Sequence, residues 1–195
     1  MTKKLISASI LSADFGCLAQ DAAAVLNAGA DWLHVDVMDN HYVPNLTFGP
    51  FVCEALHRHL PTAFLDIHLM VQPVSDLIQR FAQAGAHQIS FHPEASRAVK
   101  TDLQTIRQFG CKAGLAINPA TPLSIVEDNW PNLDFLLLMS VHPGFAAQRF
   151  LPEVLSKISA AKQYIKQKNI LSRSESMVAL TKKRLHTSRR LGPMC

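Results

Sequence analysis

Ala28-Gly29-Ala30-Asp31-Trp32-Leu33-His34-Val35-Asp36-Val37-Met38 reads as a helix end, a tight turn and a whole strand in one short run. Gly29 is the residue type that ends a helix, and the alternation of polar with apolar side chains from Trp32 onward has the period of two of a strand. A second copy follows, in which Ala84-Gly85-Ala86-His87 leads into Gln88-Ile89-Ser90-Phe91-His92. A unit that repeats helix end, turn and strand predicts a chain that alternates between the two.

Outward from these copies, residues 5–11, 32–38, 64–70, 88–92, 112–118 and 135–141 read as strands. Residues 21–27, 48–59, 74–84, 98–109, 123–127 and 152–168 read as the helices between them. Strict β/α alternation demands a parallel sheet, because right-handed crossovers place the helices outside the strands. A doubly wound open sheet usually carries a Gly-rich phosphate loop after its first strand, whereas Leu11-Ser12-Ala13-Asp14-Phe15-Gly16 has a single glycine. A (β/α)₈ TIM barrel fits better, since its polar residues gather at the carboxyl ends of strands. About six of the eight strand–helix units are legible, so the expected fold class is an incomplete α/β barrel.

The 195 residues are 48% hydrophobic and 17% charged, enough apolar material for a sizeable core, which excludes intrinsic disorder. The longest purely apolar stretch, residues 135–139, is far short of the roughly 20 residues of a membrane helix. With no secretory apolar region at the start, the expectation is a cytoplasmic protein without a membrane partner. Cys17, Cys53, Cys111 and Cys195 are unevenly spaced and read as reduced thiols. The net charge of +4 is lopsided: residues 1–170 hold 13 basic and 14 acidic side chains, and residues 171–195 hold six and one. That basic tail has no aromatic residue for stacking and no helical stripe, so nucleic acid is not the expected partner.

Strand alternation puts His34, Asp36 and Met38 on one face, and Leu33, Val35 and Val37 on the other. Phe64-Leu65-Asp66-Ile67-His68-Leu69-Met70 repeats the pattern, with Asp66, His68 and Met70 alternating with Leu65, Ile67 and Leu69. If the apolar sets face the helices, His34, Asp36 and His68 converge in the barrel mouth. Burying three such groups costs several kcal/mol unless something compensates them, roughly 2–7 kcal/mol for each uncompensated polar group. Imidazole and carboxylate ligands suit one divalent cation: zinc, iron, manganese or cobalt. Asp66, one layer deeper, either orients a ligand or pairs with another buried polar group. His87 and His92, each single in its strand, read as satisfied core histidines. After the last strand, Ser140-Val141-His142-Pro143-Gly144-Phe145-Ala146-Ala147-Gln148 offers backbone N–H groups that can cradle phosphate, or is a plain turn.

These residues resemble the ribulose-phosphate 3-epimerase family. The matching stretches are Ser7-Ala8-Ser9-Ile10-Leu11-Ser12-Ala13-Asp14-Phe15, His34-Val35-Asp36-Val37-Met38-Asp39, Phe48-Gly49-Pro50, Asp66-Ile67-His68-Leu69-Met70, Ala116-Ile117-Asn118-Pro119-Ala120-Thr121-Pro122 and Ser140-Val141-His142-Pro143-Gly144-Phe145, in order along residues 5–170. The resemblance implies a barrel isomerase that interconverts D-ribulose 5-phosphate and D-xylulose 5-phosphate by inverting C3. It implies that His34, Asp36 and His68 bind the metal, and that Asp36 is one of two acid/base carboxylates. It also implies that Ser9 and His68 touch the sugar phosphate, that Met38, Met70 and Met139 line the pocket, and that Gly144, Phe145, Ala146 and Ala147 form the phosphate loop. In its intact form the family implies a homo-oligomer. Removal of the C3 proton, next to the C2 carbonyl, gives an enediolate whose charge a metal stabilises, and inversion needs a proton carrier on each face.

Two departures stand out. Ala146 and Ala147 replace the family's glycines, and their methyl groups hinder a phosphate loop wherever φ must be positive. The family's next elements, an Asp-Gly-Gly strand end with the second acid and a Gly-Ser turn, do not follow residue 170. With Glu175 as GAA, Ser176 as TCG, Met177 as ATG, Val178 as GTG, Ala179 as GCG, Leu180 as TTA and Thr181 as ACN, the frame starting on the last base of the Glu175 codon reads Ile-Asp-Gly-Gly-Val-Asn. Residues 1–170 are therefore expected to form the incomplete barrel, and residues 171–195 a non-native tail, out of frame or disordered. Lacking the second Asp, this chain is not expected to complete inversion. The rivals are an epimerase for a ketohexose phosphate such as allulose 6-phosphate, and a non-catalytic metal-binding remnant.

Overall fold

The structure, a computed structural model, describes residues 4–168, so the tail expected at 171–195 lies outside the described residues. Six strands form one sheet in chain order: β1 (Ser7–Ser9), β2 (Trp32–Met38), β3 (Phe64–Met70), β4 (Gln88–Phe91), β5 (Lys112–Ile117) and β6 (Phe135–Leu138). Every neighbouring pair is parallel. The helices between them are α1 (Leu18–Asn27), α2 (Pro50–His59), α3 (Ser75–Gln83) and α4 (Val99–Gln108), with α5 (Val154–Lys168) after β6. This is the β/α succession of an incomplete (β/α)₈ barrel. Gly29 and Gly85, the turn glycines of the repeat, take φ of 102° and 98°, the left-handed conformation that ends a helix at little steric cost.

Most element ends shift from the sequence reading by up to three residues, as where α1 begins at Leu18 rather than 21 and β6 ends at Leu138 rather than 141, and two departures stand out. The first strand stops at Ser9, because the Ser9 hydroxyl accepts the Leu11 N–H at 3.3 Å and turns the chain into a 3₁₀ segment over Ile10–Ser12. The fifth helix expected at 123–127 is instead a 3₁₀ segment over Leu123–Asn132. It has no side-chain cap, and Pro131 inside it lacks the N–H that an α-helix would use.

Alternation sorts the strands into two faces. Leu33, Val35, Val37, Leu65, Ile67, Leu69, Ile89, Phe91, Ala113, Leu115, Ile117, Leu136 and Leu138 join one core with helix residues such as Cys53, Leu56, Ile78, Phe81, Leu103 and Ile106. At about 25 cal/mol per Å² of apolar surface buried, this shared layer drives the helices onto the sheet. The opposite face carries Ser7, Ser9, His34, Asp36, Asp66, His68, Gln88 and Ser90 on β1–β4, then Gly114, Phe135 and Leu137 on β5 and β6. One side of the interior is thus polar and the other apolar.

Gly114 pairs with Phe135 in the β5–β6 register, and a Cβ built at Gly114 would overlap the Phe135 ring. Phe135 is buried, so the ring has little room to retreat. Gly114→Ala is expected to lower stability by about 1–3 kcal/mol, the range for overpacking a filled core. Equilibrium urea unfolding would measure it, and an unchanged midpoint would show that the ring relocates freely.

Candidate metal centre

Because β2 and β3 pair in register with Asp36 opposite His68 and His34 opposite Asp66, four inward polar groups meet on adjacent strands. The Asp36 Oδ1 atom lies 3.4 Å from His34 Nε2 and 3.4 Å from His68 Nδ1. One ligand atom from each of the three residues lies within 4.8 Å of the other two, a spacing able to hold a cation. The other Asp36 oxygen, Oδ2, accepts the Ser9 hydroxyl at 2.6 Å, which turns Oδ1 toward the imidazoles. His68 Nδ1 is buried without a hydrogen-bond partner, and a buried lone pair of that kind fits a metal ligand.

Asp66 does both things that the sequence left open. Its carboxylate lies 2.7 Å from His34 Nδ1, and it accepts the Ser7 hydroxyl and the Gln88 amide, each at 2.8 Å. It therefore orients His34 and is itself a satisfied buried group, the usual arrangement of a carboxylate behind a metal-binding histidine.

These contacts set the charges. Burial by itself lowers the pKa of His34, but the carboxylates of Asp66 and Asp36 and the hydrogen bonds to them outweigh it, and the pKa rises to about 10. Burial raises the pKa of Asp66, while His34, Gln88 and Ser7 pull it down further than that, so it stays below the ordinary carboxylate value. His68 and His92 are lowered by burial, which keeps both neutral. Since the folded pKa of His34 is raised, its contribution to stability is fully present below the unfolded value of 6.5 and is lost as pH rises through about 10. Asp66 has the opposite sign: its contribution is present above the ordinary carboxylate value and is lost as pH falls below it. With a chelator present, unfolding free energy is expected to fall by up to about 1.4 kcal/mol per pH unit on the alkaline side. Urea unfolding between pH 7 and 10 would test this, and an equal slope in His34→Ala would contradict it.

The remaining candidates fall in different places. Met38 and Met70 are buried together with Val43, against Leu11 and Tyr42. Met139 is half-buried past the end of β6 and does not belong to that cluster. The loop after β6 is tied to the β2–α2 connection by Asn45, whose Nδ2 donates to the Gly144 carbonyl at 2.7 Å. Gln148 Nε2 braces the same loop by donating to the carbonyls of His142 at 2.6 Å and Phe145 at 3.0 Å. Gly144 has φ of 114° and is buried, Phe145 is exposed and Ala146 is half-buried. Ala147 is exposed and has φ of 61°, a conformation that costs a residue with a Cβ about 1–2 kcal/mol.

Sequence reasoning missed four residues around this site. His92 is no satisfied core histidine: its Nε2 lies 3.0 Å from His68 Nε2, and its Nδ1 is buried without a partner. The signal was there, since Gln88, Ser90 and His92 continue the period-two polar row across β4 and just beyond it. Tyr42 stacks on His92 at 4.7 Å between ring centres and donates to Glu94 at 3.0 Å. Asn118, just past β5, donates its amide to both Tyr42 and Glu94 at 2.7 Å. His87, by contrast, is satisfied, with Nδ1 accepting the Leu65 N–H at 3.1 Å.

The fold and the cluster together define a β/α-barrel protein with a histidine–aspartate–histidine site on the inner face of its second and third strands. No helix among the described residues is long and apolar enough to cross a membrane. The chain belongs to the ribulose-phosphate 3-epimerase family, whose model, described as "Ribulose-phosphate 3 epimerase family", matches residues 5–178. It is 55% identical over 165 residues to the ribulose-phosphate 3-epimerase of Serratia marcescens, covering 85% of this chain and 79% of the relative. It is 54% identical over 165 residues to that of Escherichia coli strain K12, covering 85% and 73%. Among solved structures, a mutant tryptophan synthase alpha-subunit from Pyrococcus furiosus matches with a TM-score of 0.58 at 15% identity, over 92% of this chain and 79% of that one, a likeness of fold alone.

Proposed function

We propose that the chain acts on the ribulose-phosphate 3-epimerase reaction, the interconversion of D-ribulose 5-phosphate and D-xylulose 5-phosphate, as a cytoplasmic isomerase. The observation that carries this reading is the convergence of His34 Nε2, Asp36 Oδ1 and His68 Nδ1 in a chain of that family. The three would hold one divalent cation: zinc, iron, manganese or cobalt. Bound there, a cation supplies Lewis-acid stabilisation of the negative charge that develops when a proton leaves the carbon beside a carbonyl.

The chain's own residues do the rest. Asp36 takes the C3 proton, with Ser9 orienting its carboxylate through the 2.6 Å hydrogen bond. Ser9 and His68 contact the sugar, Met38, Met70 and Met139 exclude water from the reacting carbons, and Gly144 to Ala147 receive the phosphate on backbone N–H groups. The named relatives favour the pentose phosphate over a ketohexose phosphate.

Inversion needs a second carrier on the opposite face. Among the described residues, the inward strand positions supply Asp36 and Asp66, and Asp66 is engaged by His34, Ser7 and Gln88. The expected result in D₂O with added Mn²⁺ is therefore deuterium uptake at C3 of D-ribulose 5-phosphate with little xylulose 5-phosphate formed. Absence of exchange while Mn²⁺ is bound would sink the reading. Full epimerisation would leave the reading standing and refute the missing second carrier.

A further inference from the structure

His92 faces the candidate metal centre from the next strand, and none of the roles assigned above uses it. It follows β4, is wholly buried, and its ring lies 5.1 Å from the His68 ring with the two Nε2 atoms 3.0 Å apart. A hydrogen bond between two imidazole nitrogens contains one proton, so one ring donates and the other accepts. The site itself decides which. His68 Nδ1 points toward Asp36 Oδ1 and has no hydrogen-bond partner, so it is the nitrogen available to a cation, and a ligating nitrogen must carry a lone pair. The neutral His68 ring then holds its proton on Nε2, and His92 Nε2 must accept it.

We propose that His92 is a positioning residue of the metal centre: by accepting a hydrogen bond from His68 Nε2–H, it fixes the tautomer in which His68 presents Nδ1 to the cation. This inference rests on the metal reading given above. In the competing arrangement His92 donates, the His68 proton sits on Nδ1, and that position is closed to a cation. The His92 ring is held from its other side by the stacked Tyr42, whose hydroxyl is anchored by Glu94 and Asn118. The tyrosine therefore keeps the accepting nitrogen aimed at His68, as second partners of metal-bound histidines do elsewhere.

The test uses the full chain and Co²⁺ as probe, with circular dichroism to check the fold. His92→Phe keeps a ring against Tyr42 but accepts no hydrogen bond, and is expected to weaken Co²⁺ binding by about 10–100-fold and to alter the visible absorption of the bound ion. His92→Gln can accept through its side-chain oxygen and is expected to restore both toward wild type. Independently of any variant, long-range ¹H–¹⁵N spectra of the Zn²⁺-loaded wild type should show His68 protonated at Nε2 and metal-bound at Nδ1. A His92→Phe variant that binds Co²⁺ as tightly as wild type, or a His68 protonated at Nδ1 in the Zn²⁺ state, overturns the inference and leaves the metal reading intact. A wild-type chain that takes up neither ion overturns both.

Discussion

Asp66→Ala is expected to destabilise the chain by about 3–5 kcal/mol, the range for removing one partner of a buried ion pair. Three donors depend on this carboxylate: His34 Nδ1 at 2.7 Å, and Ser7 and Gln88 at 2.8 Å each. Asp66 is fully buried, so water cannot take over these bonds. The substitution also removes the larger of the two carboxylate attractions that hold the His34 proton, leaving a buried cation near Asp36 alone. Asp66→Asn keeps a side chain of the same shape and an acceptor oxygen but not the charge, and should lie between wild type and alanine. Urea unfolding at pH 7 with a chelator present separates the three; a loss below about 1 kcal/mol for the alanine variant, the scale of one ordinary hydrogen bond, would show that the His34–Asp66 pair is not a stabilising element.

Asp36→Asn should behave in the opposite way, with a small effect on folding and a large one on chemistry. His34 keeps Asp66 as its counter-charge, and asparagine fills the same space beside Ser9. The variant nevertheless loses the charge shared by the two imidazoles and the group proposed to accept the C3 proton. Deuterium uptake at C3 is expected to fall by about 10²- to 10⁴-fold, the usual share of a general base. Binding of Mn²⁺ should weaken in parallel, since a neutral amide replaces an anionic ligand. Exchange at the wild-type rate in a variant whose unfolding midpoint is unchanged would remove Asp36 from the reaction. The contrast between the two aspartates is informative because they lie on adjacent strands one layer apart: one stabilises a charged histidine from behind, and the other faces where the substrate would sit.

The strand rows, the β/α alternation and the inward set of His34, Asp36 and His68 were all legible in the amino-acid order, because a period of two is a local property that survives whatever the chain does next. The helix stops at Gly29 and Gly85 were legible for the same reason, since the backbone angle they need belongs to one residue. The 3₁₀ run over Leu123–Asn132 was not, because the order of apolar residues there is compatible with either helix and no side-chain cap fixes one. What only the tertiary structure decided is who meets whom across strands and loops: that Asp66 holds His34, that His92 abuts His68, that Tyr42 returns over His92 to Glu94 and Asn118, and that Met38 and Met70 cluster while Met139 does not. These contacts join residues as many as 76 positions apart, as in the Tyr42–Asn118 bond, and they depend on strand register and on where connections come back over the barrel mouth. Alternation says which way a side chain points, but only the assembled sheet sets its distance from the next.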